Sequence, residues 1–586
     1  MRPLALLALL ALFAPSFADA GTLGAALARS AEGDPDAPVG VWVTFRDRAG
    51  AERDPSAFAA AKEQMTPRAL ARRRTRGSMP DVVAADLPVH EPYVRALIAR
   101  GAILRGTSRW LNAASVTVPA GQAVELAGLP FVESVELIPT GRVSRDPEPF
   151  VEDALVQSAP TGTLLAPGDP SYYGATYKQN LMMQVPQLHA AGINGAGVLV
   201  CILDAGFRTT HQIFAGLNLL ATRDFVNNDT VVDDQVPPDA SGDASHGTST
   251  LACIAGSKPG TYSGVAYGAT VALGKTEYVA TETPVEMDNW QRGAEWADSL
   301  GADVLSSSLG YITFDSPFAG YTQADLDGQT TVVTRAAAEA ARRGITVVTA
   351  AGNEGPASPS LIGPADADTV ITVGAVDSFN VVTSFSSRGP TADARIKPDV
   401  VAMGRAVYLP SFSNSAAYGR ASGTSFSTPL TAGVAALLLQ AHPTWGPFEV
   451  REAMRETALN HAAPNNDIGW GLVQGFAASQ WVPSTVGVEP IASAIALSAG
   501  PNPFRPGAAQ VVRFSGDGQV ALDAYDLRGR RVARLYAGEV HGAASVSWRG
   551  TNEDGTTLPA GMYWLRLTGS TPSAARSGAL RVVLLP

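Results

Sequence analysis

Short apolar runs alternate with helical stretches from residue 177 to residue 480, and this alternation constrains the fold more than any other feature of the sequence. The runs are apolar at consecutive positions, as expected for strands that are buried on both faces. Such strands, separated by helices, form a parallel sheet. The pattern therefore predicts an α/β domain whose sheet is covered on both sides. The predicted strands are 198–203, 271–274, 304–307, 345–350 and 370–376, and the predicted helices are 286–300, 331–343 and 426–441.

The rest of the 586-residue chain divides into five further segments. Residues 1–20 carry Arg2, an apolar run and an Ala-x-Ala sequence, which is typical of a signal peptide and predicts export. Residues 21–145 mix strand and helix patterns and predict a small α+β domain. Residues 146–176 and 481–498 lack a sustained apolar period and are expected to be linkers. Residues 499–586 show short strands between turn formers, such as Gly-Asp-Gly at 516–518, and predict an all-β sandwich.

Composition excludes several classes of function. The net charge of −11 disfavours a nucleic-acid partner, because a surface that binds phosphates is rich in Lys and Arg. No stretch after residue 20 is long and apolar enough for a transmembrane helix. Two cysteines, Cys201 and Cys253, cannot form a disulfide framework or a four-cysteine zinc site. The sequence leaves open whether they form one disulfide or remain two buried thiols.

An Asp, a His and a Ser each lie at the predicted end of an element. Asp204 follows the first buried strand, at the carboxyl edge where open parallel sheets place their sites. His246 begins a helical run. Ser425 opens the most apolar helix, and we expect it in the first turn because Pro429 is tolerated only there. These residue types form a nucleophilic relay in which His takes the Ser proton and Asp orients the imidazole. The order Asp–His–Ser, with Ser at 427, excludes the G-x-S-x-G elbow of α/β-hydrolases.

A nucleophile that attacks a carbonyl also needs donors for the oxyanion. Asn353 follows the predicted strand 345–350 in a Gly-Asn-Glu turn. Its side-chain amide and the Ser425 backbone N–H are the expected donors, and the helix N-terminus further favours negative charge there.

Taken together, these motifs resemble the subtilisin-like serine endopeptidase family, in its order and spacing. The motifs are DAGF at 204–207, SHGT at 245–248, SSLG at 307–310, AAGNEG at 350–355, FSSRGP at 385–390, KPDV at 397–400 and GTSFSTP at 423–429. The resemblance implies that Asp204, His246 and Ser425 form the catalytic triad and that Asn353 completes the oxyanion hole. It also implies substrate-binding walls formed by Ser308, Leu309 and Gly310 and by Ala350, Ala351 and Gly352.

The flanking segments carry resemblances of their own. Residues 21–145 are similar to the propeptides of exported bacterial subtilisin-like enzymes, which implies an intramolecular inhibitor that is removed at maturation. We expect the chain to cut itself between Thr140 and Ser171, a Pro- and Asp-rich stretch of the kind that proteases cleave. Residues 499–586 are similar to the immunoglobulin-like modules that end many secreted bacterial proteins, both the hook-capping and the type IX sorting kinds. This similarity implies a secreted or surface-held enzyme, with secretion machinery or the cell surface as a partner.

Alternatives accompany these expectations. A catalytically silent, surface-binding protein of the same fold would need no intact triad, and an esterase could use the same nucleophile. No redox or organic cofactor is implied. The acidic residues between Asn227 and Asp243 lack the spacing of an EF-hand, so that a solvated loop is expected, with structural calcium as the alternative. The expected partners are protein or peptide substrates.

Overall fold

A computed structural model of the protein describes residues 22–138, 142–143, 148–152, 165–237, 239–278, 285–313, 321–483, 497–500, 504–507, 510–526, 530–571 and 574–585. The predicted signal peptide lies outside these residues. The chain divides into two compact units, Met1–Pro483 and Ser484–Pro586. Among the described helices, none combines the length and apolar character needed to cross a bilayer.

The first unit begins with an N-terminal domain, residues 22–138, followed by two short strands. The strands are β1 (Thr22–Leu23), β2 (Pro38–Phe45), β3 (Ile103–Ser108), β4 (Ala113–Pro119), β5 (Val132–Leu137), β6 (Arg142–Val143) and β7 (Glu148–Glu152), and the helices are α1 (Ala25–Gly33), α2 (Pro55–Glu63), α3 (Pro67–Arg76), α4 (Glu91–Ile98) and α5 (Ala120–Leu126).

Strands β1 to β5 form one sheet in the order β1-β5-β2-β4-β3, which confirms the predicted α+β character. The alternation along β2 determines how this sheet is covered, because successive side chains point to opposite faces. Val39, Val41 and Val43 pack in a core with α1, α4 and α5. Trp42 points the other way, into a second core that belongs to the neighbouring domain. The N-terminal sheet therefore lies between its own helices and the rest of the unit.

The central domain, residues 165–483, contains twelve described strands and nine described helices. The strands are β8 (Leu199–Asp204), β9 (Asn218–Asp224), β10 (Ser257–Lys258), β11 (Tyr262–Ser263), β12 (Thr270–Lys275), β13 (Val304–Ser307), β14 (Tyr311–Thr313), β15 (Thr346–Ala350), β16 (Ile371–Val376), β17 (Val400–Met403), β18 (Val407–Pro410) and β19 (Tyr418–Ser422). The helices are α6 (Pro170–Tyr173), α7 (Tyr177–Leu181), α8 (Val185–Ala190), α9 (Ser245–Ala255), α10 (Val285–Leu300), α11 (Val332–Arg342), α12 (Thr424–Ala441), α13 (Pro447–Thr457) and α14 (Gly475–Ser479).

Seven of these strands form a sheet in the order β17-β16-β15-β13-β8-β12-β9, and every neighbouring pair is parallel. The predicted α/β fold with a parallel sheet is confirmed. Strand β8 is buried along its whole length. Its Val200 and Ile202 pack on one side with residues of α9, α12 and α13. Its Leu199 and Leu203 pack on the other side with α10 and α11. Burial on both faces explains the consecutive apolar positions.

Two short strands after the N-terminal domain pair with the central domain. Strand β6 is antiparallel to β14, and β7 is antiparallel to β19 in a three-stranded sheet with β18. Strand β7 and helix α6 both lie inside the stretch 146–176 that was expected to be a linker. That expectation is wrong for these residues, because a strand that borrows its partner from a distant part of the chain leaves no local apolar period.

Buried ion pairs join the N-terminal domain to α10. Arg73 of α3 bonds Asp86 at 2.7 Å and Asp298 of α10 at 2.5 Å, and Arg72 also pairs with Asp298. Burial by itself raises the pKa of Asp298, but the two guanidinium groups outweigh it and the net shift is downward. Removing one partner from such a buried network leaves an uncompensated charge, which is strongly destabilising. The network therefore specifies how the N-terminal domain docks.

The second unit is all-β, as predicted. Its described strands are β20 (Leu497–Gly500), β21 (Gln510–Tyr525), β22 (Arg531–Trp548), β23 (Gly561–Thr571) and β24 (Ala574–Leu584), all paired antiparallel. The expected turn at 516–518 is wrong: Gly516 pairs with Gly542 and Gly518 with Val540, so that β21 continues through the glycines. Residues 501–503 and 527–529 of the C-terminal motifs lie outside the described residues.

The docking surface also contains a carboxyl group with a perturbed pKa, which generates a first prediction. Asp288 of α10 accepts a hydrogen bond from Ser115 at 2.5 Å and lies 3.0 Å from Arg105. Burial raises its pKa to about 6, although Arg105 opposes the shift. Because this pKa is above the unfolded value of about 4, the contribution of Asp288 to stability is fully present below pH 4 and is lost as the pH rises through 6.

We therefore expect Asp288→Asn to increase the melting temperature of the full-length Ser425→Ala chain more at pH 8 than at pH 4, by up to about 3 kcal/mol in unfolding free energy. Thermal unfolding of the two proteins at both pH values measures the difference. An equal effect of the substitution at pH 4 and pH 8 would contradict the raised pKa.

Candidate active site

Three neighbouring strands of the parallel sheet lead into the site. Strand β13 lies between β8 and β15, and Ser307 is in register with Leu203 on one side and Thr349 on the other. Asp204 is the last residue of β8. The segment from Ser308 follows β13, and the turn with Asn353 follows β15. Because parallel strands end at one edge, the sheet brings these residues together, as predicted from the sequence.

Asp204 and His246 form a direct hydrogen bond. His246 Nδ1 lies 2.7 Å from Asp204 Oδ1, and Asp204 is completely buried. A carboxylate can only accept, so that His246 Nδ1 carries the proton and Nε2 of the neutral ring is the basic nitrogen. The other carboxylate oxygen, Oδ2, accepts from Thr250 Oγ1 at 3.0 Å, and Oδ1 also accepts from the Ala205 N–H at 2.8 Å. These bonds fix the carboxylate and thereby the imidazole.

Helix α9, which carries His246, packs closely against the end of β8, which carries Asp204. Gly247, next to His246, faces the end of β8, where a Cβ would collide with the carbonyl oxygen of Gly206. Glycine is therefore required for the close approach of a neighbouring backbone. The Asp234 carboxylate accepts the N–H groups of Gly242 and Ala244 at 2.7 and 2.8 Å and so orders the start of the helix. Thr250 was missed by the sequence analysis, although its position four residues after His246 puts both on one helical face.

Ser425 is the second residue of α12 and is 2% exposed. Its predicted place in the first turn is confirmed, but the reason given for it is wrong: Pro429 is the sixth residue of the helix and not part of the first turn. Proline lacks the N–H that would bond the Ser425 carbonyl four residues earlier. The Ser308 hydroxyl donates to that carbonyl oxygen at 2.8 Å instead. The bond therefore also ties the nucleophile's backbone to the segment after β13.

Asn353 is held by the residue next to Ser425. Its Oδ1 accepts two hydrogen bonds from Thr424, one from the backbone N–H and one from Oγ1, both at 2.9 Å. With the oxygen engaged in this way, the Nδ2 group of the planar amide points away from Thr424 and can donate elsewhere. Thr424 was also missed as a functional residue, since nothing in the sequence links it to a turn 71 residues earlier.

The predicted wall segments lie side by side. Ser308, Leu309 and Gly310 follow β13, while Ala350 ends β15 and Ala351 and Gly352 continue from it. The loop that contains Ile362 and Gly363 bonds to both segments. Gly363 exchanges backbone hydrogen bonds with Tyr311 at 2.9 and 3.1 Å, and Ile362 N–H donates to Ala351 O at 3.3 Å. The structure thus brings all ten residues named from the sequence to one edge of the sheet.

The two residues after Ser425 in α12 are Phe426 and Ser427. Phe426 is buried, and its ring centroid lies 6.1 Å from that of His246. The Ser427 hydroxyl donates to the Thr424 carbonyl oxygen within the helix at 3.0 Å.

A buried lysine of β12, Lys275, contacts the acidic loop before α9. Lys275 Nζ lies 2.5 Å from Asp239 and 3.6 Å from Asp224, and all three side chains are buried. The ammonium group of Lys275 therefore lies between two buried carboxylates. Among the described residues, no group of three or more His, Cys, Asp or Glu side chains is arranged to hold a metal ion. Cys201 and Cys253 are free and buried, and burial raises the pKa of each thiol, which makes both inert.

Comparisons with known proteins agree with this geometry. Residues 195–471 match the model of the subtilase family, and residues 40–149 match that of the peptidase S8 propeptide domain of Bacteroidota. The second match covers the N-terminal domain and ends within β7. The N-terminal domain is therefore a propeptide, and the central domain is the peptidase.

Curated relatives cover a large part of the chain. Subtilisin E of Bacillus subtilis (strain 168) is 31% identical over 384 residues, which are 65% of this chain and 84% of the relative. Subtilisin of Bacillus pumilus is 33% identical over 301 residues, 51% of this chain and 96% of the relative. Serine protease AprX of Bacillus subtilis (strain 168) is 32% identical over 289 residues, 45% of this chain and 61% of the relative. The chain belongs to the subtilase family and is a serine endopeptidase with a propeptide.

Proposed function

We propose that the enzyme hydrolyses peptide bonds through an acyl-enzyme on Ser425. The Ser425 oxygen attacks the carbonyl carbon while its proton passes to His246 Nε2. The tetrahedral intermediate collapses, the C–N bond breaks, and the imidazolium gives the proton to the leaving amine. Water then enters, loses a proton to His246, attacks the acyl carbon and releases the acid. Asp204 stabilises the imidazolium throughout.

The hydrogen bond between buried Asp204 and His246 Nδ1 is the observation that carries this proposal. This bond leaves Nε2 of His246 as the base, and the His246 ring packs beside Phe426 in the first turn of α12. A silent binding protein would have no need for a buried carboxylate that accepts hydrogen bonds from His246, Thr250 and the Ala205 N–H, so this alternative is not favoured. Protein side chains supply the base, the nucleophile and the oxyanion donors, and the proposal therefore includes no cofactor. The buried ammonium group of Lys275 favours a calcium-independent acidic loop.

We assign oxyanion stabilisation to Asn353 Nδ2 and the Ser425 N–H. The bonds from Thr424 orient the amide before substrate arrives, and a preorganised donor is effective because it costs no reorganisation in the transition state. Ser308–Gly310 and Ala350–Gly352 would then bind the backbone and side chain of the residues before the scissile bond.

Asn353→Ala should lower kcat by about 10²- to 10³-fold with a small change in KM, because the lost donor acts on the oxyanion and not on the bound substrate. Steady-state hydrolysis of a peptide substrate measures both constants. Thr424→Val is a matched control that removes one of the two bonds onto Oδ1, and we expect a smaller loss. Normal turnover by Asn353→Ala would contradict the assignment.

We further propose that the enzyme cuts its own chain between Val143 and Glu148. Strand β6 pairs with β14, which follows the Ser308–Gly310 segment, and β7 pairs with β19, which leads through Gly423 to Ser425. The segments on either side of this stretch are thus bound on either side of the nucleophile. An attached substrate has a high effective concentration, which supports both processing and inhibition by the uncut propeptide.

The Ser425→Ala chain, made in a protease-deficient host, should keep its propeptide, whereas the wild type should separate into two pieces. Gel electrophoresis and N-terminal sequencing are the measurements, and the mature chain should begin between residues 144 and 148. Maturation of Ser425→Ala at the wild-type rate would contradict self-processing. A mature N-terminus outside this range would contradict the proposed cleavage site.

We also propose that residues 1–20 direct export and that the second unit attaches the enzyme to secretion machinery or to the cell surface. The second unit is compact, has its own core around Phe514 and Trp548, and contains none of the proposed catalytic residues. The match of the propeptide to a Bacteroidota domain supports a sorting module of the type IX kind.

Deletion of residues 497–586 should leave peptide hydrolysis within about twofold of wild type but change where the enzyme accumulates in a bacterium that has the corresponding secretion system. Activity measured in cell, surface and medium fractions reports both properties. An unchanged distribution of the truncated enzyme would contradict a sorting or anchoring role.

A further inference from the structure

Strand β7 identifies the surface that binds the chain after the scissile bond. Its register with β19 places Glu148 opposite Ser422, Val151 opposite Arg420 and Glu152 opposite Gly419. Ser422 is three residues before Ser425, and β7 runs away from the nucleophile as its numbering increases. Residues 148–152 therefore follow the path of a leaving-group segment, that is, of substrate residues on the C-terminal side of the cleaved bond.

Gly419 makes room for this segment. A Cβ at this position would collide with the carbonyl oxygen of Val151 and would lie 2.5 Å from the Phe150 ring. The backbone of β7 and an aromatic side chain thus use space that any other residue at 419 would fill. The surface along β19 therefore accommodates an extended peptide in direct contact with Gly419.

A cationic cavity adjoins the same strand. It has a volume of about 490 Å³, and its lining includes Lys178, Arg405 and Arg420. Arg420 belongs to β19, donates to Ala406 O at 3.0 Å and has its guanidinium 5.3 Å from the centre of the Tyr408 ring, so that the side chain is held in a defined direction.

The lining also contains one acidic residue, Asp377. Asp377 Oδ1 accepts the backbone N–H groups of Phe379 and Val381 at 2.8 and 3.0 Å, which fixes this carboxylate within its own turn. The ring of Phe379, also in the lining, is 85% exposed. The lining therefore combines three basic side chains with an exposed aromatic ring.

The protein's own segment at this place has the complementary composition. Strand β7, residues 148–152, reads Glu-Pro-Phe-Val-Glu, with two carboxylates, one aromatic ring and no Lys or Arg. Carboxylates bind guanidinium groups through charge-assisted hydrogen bonds, for which the planar arginine fork is well suited.

We propose that Lys178, Arg405 and Arg420 form a specificity subsite on the leaving-group side of Ser425, which selects substrates with Asp or Glu after the scissile bond. The inference rests on the proposed catalytic role of Ser425 and names the substrate class for it: extended peptides with an acidic segment that follows the cleaved bond. Arg420 and its two neighbours would act on binding and on the capture of the acidic chain, not on the bond-breaking step.

Two matched peptides test the subsite with the mature enzyme. Both carry the same residues before the scissile bond; after it, one has Glu-Pro-Phe-Val-Glu and the other Gln-Pro-Phe-Val-Gln. We expect kcat/KM to be about tenfold higher for the Glu peptide at low salt, since each of its two carboxylates contributes a factor of a few through partly exposed ion pairs. The preference should shrink in about 0.5 M NaCl because exposed charges are screened.

The variant Lys178→Gln/Arg405→Gln/Arg420→Gln should cleave both peptides with equal kcat/KM. Arg342→Gln, an exposed arginine of α11 outside the cavity, is the control and should keep the preference. Equal kcat/KM for the two peptides in wild type, or a preference that persists in the triple variant, would overturn the subsite while leaving the proposed hydrolysis intact. Cleavage of neither peptide by wild type would overturn both.

Discussion

The first turn of α12 is the junction on which the active site depends. Pro429 removes one helical hydrogen bond, and the Ser308 hydroxyl bonds the Ser425 carbonyl in its place. Thr424, one residue earlier, holds the oxygen of Asn353. Three segments from separate parts of the chain, those that contain Ser308, Asn353 and Ser425, are thereby hydrogen-bonded to each other at the first turn of α12. Preorganisation of this kind is what electrostatic catalysis requires, because donors that are already oriented need not be reorganised during the reaction.

The propeptide is held by two different kinds of contact. On α10 it docks through a buried network of charges centred on Asp298, and Trp42 and Trp110 share an apolar core with that helix. At the active site it adds only short strands, β6 and β7, to edges of the peptidase. The buried network accounts for the fixed position of the domain, while the edge strands pair with β14, which follows Gly310, and with β19, which precedes Ser425. Cleavage between the strands would remove the connection without disturbing the network, so that a cut propeptide can remain bound.

Much of the fold could be predicted because its signals are local. Every strand of the parallel sheet except β9 consists almost wholly of buried residues, and Asp204, His246, Asn353 and Ser425 lie at element ends within short motifs. The pairing of β7 with β19 could not be predicted, since the partner is remote in sequence and the segment has no apolar alternation. The glycines at 516 and 518 indicated a turn, but they face β22 within a continuous ladder, and tertiary pairing overrides local preference. The partners of Asn353 and Ser425 were missed for the same reason as β7.

Labelling by an organofluorophosphonate tests the central claim most directly, because this reagent forms a covalent bond only with a serine that a base and oxyanion donors have activated. We predict that the mature enzyme takes up one label, that mass spectrometry locates it on Ser425, and that peptide hydrolysis is lost in proportion to labelling. We also predict that His246→Ala abolishes labelling. An enzyme that hydrolyses peptides without being labelled, or a label on another residue, would contradict the account.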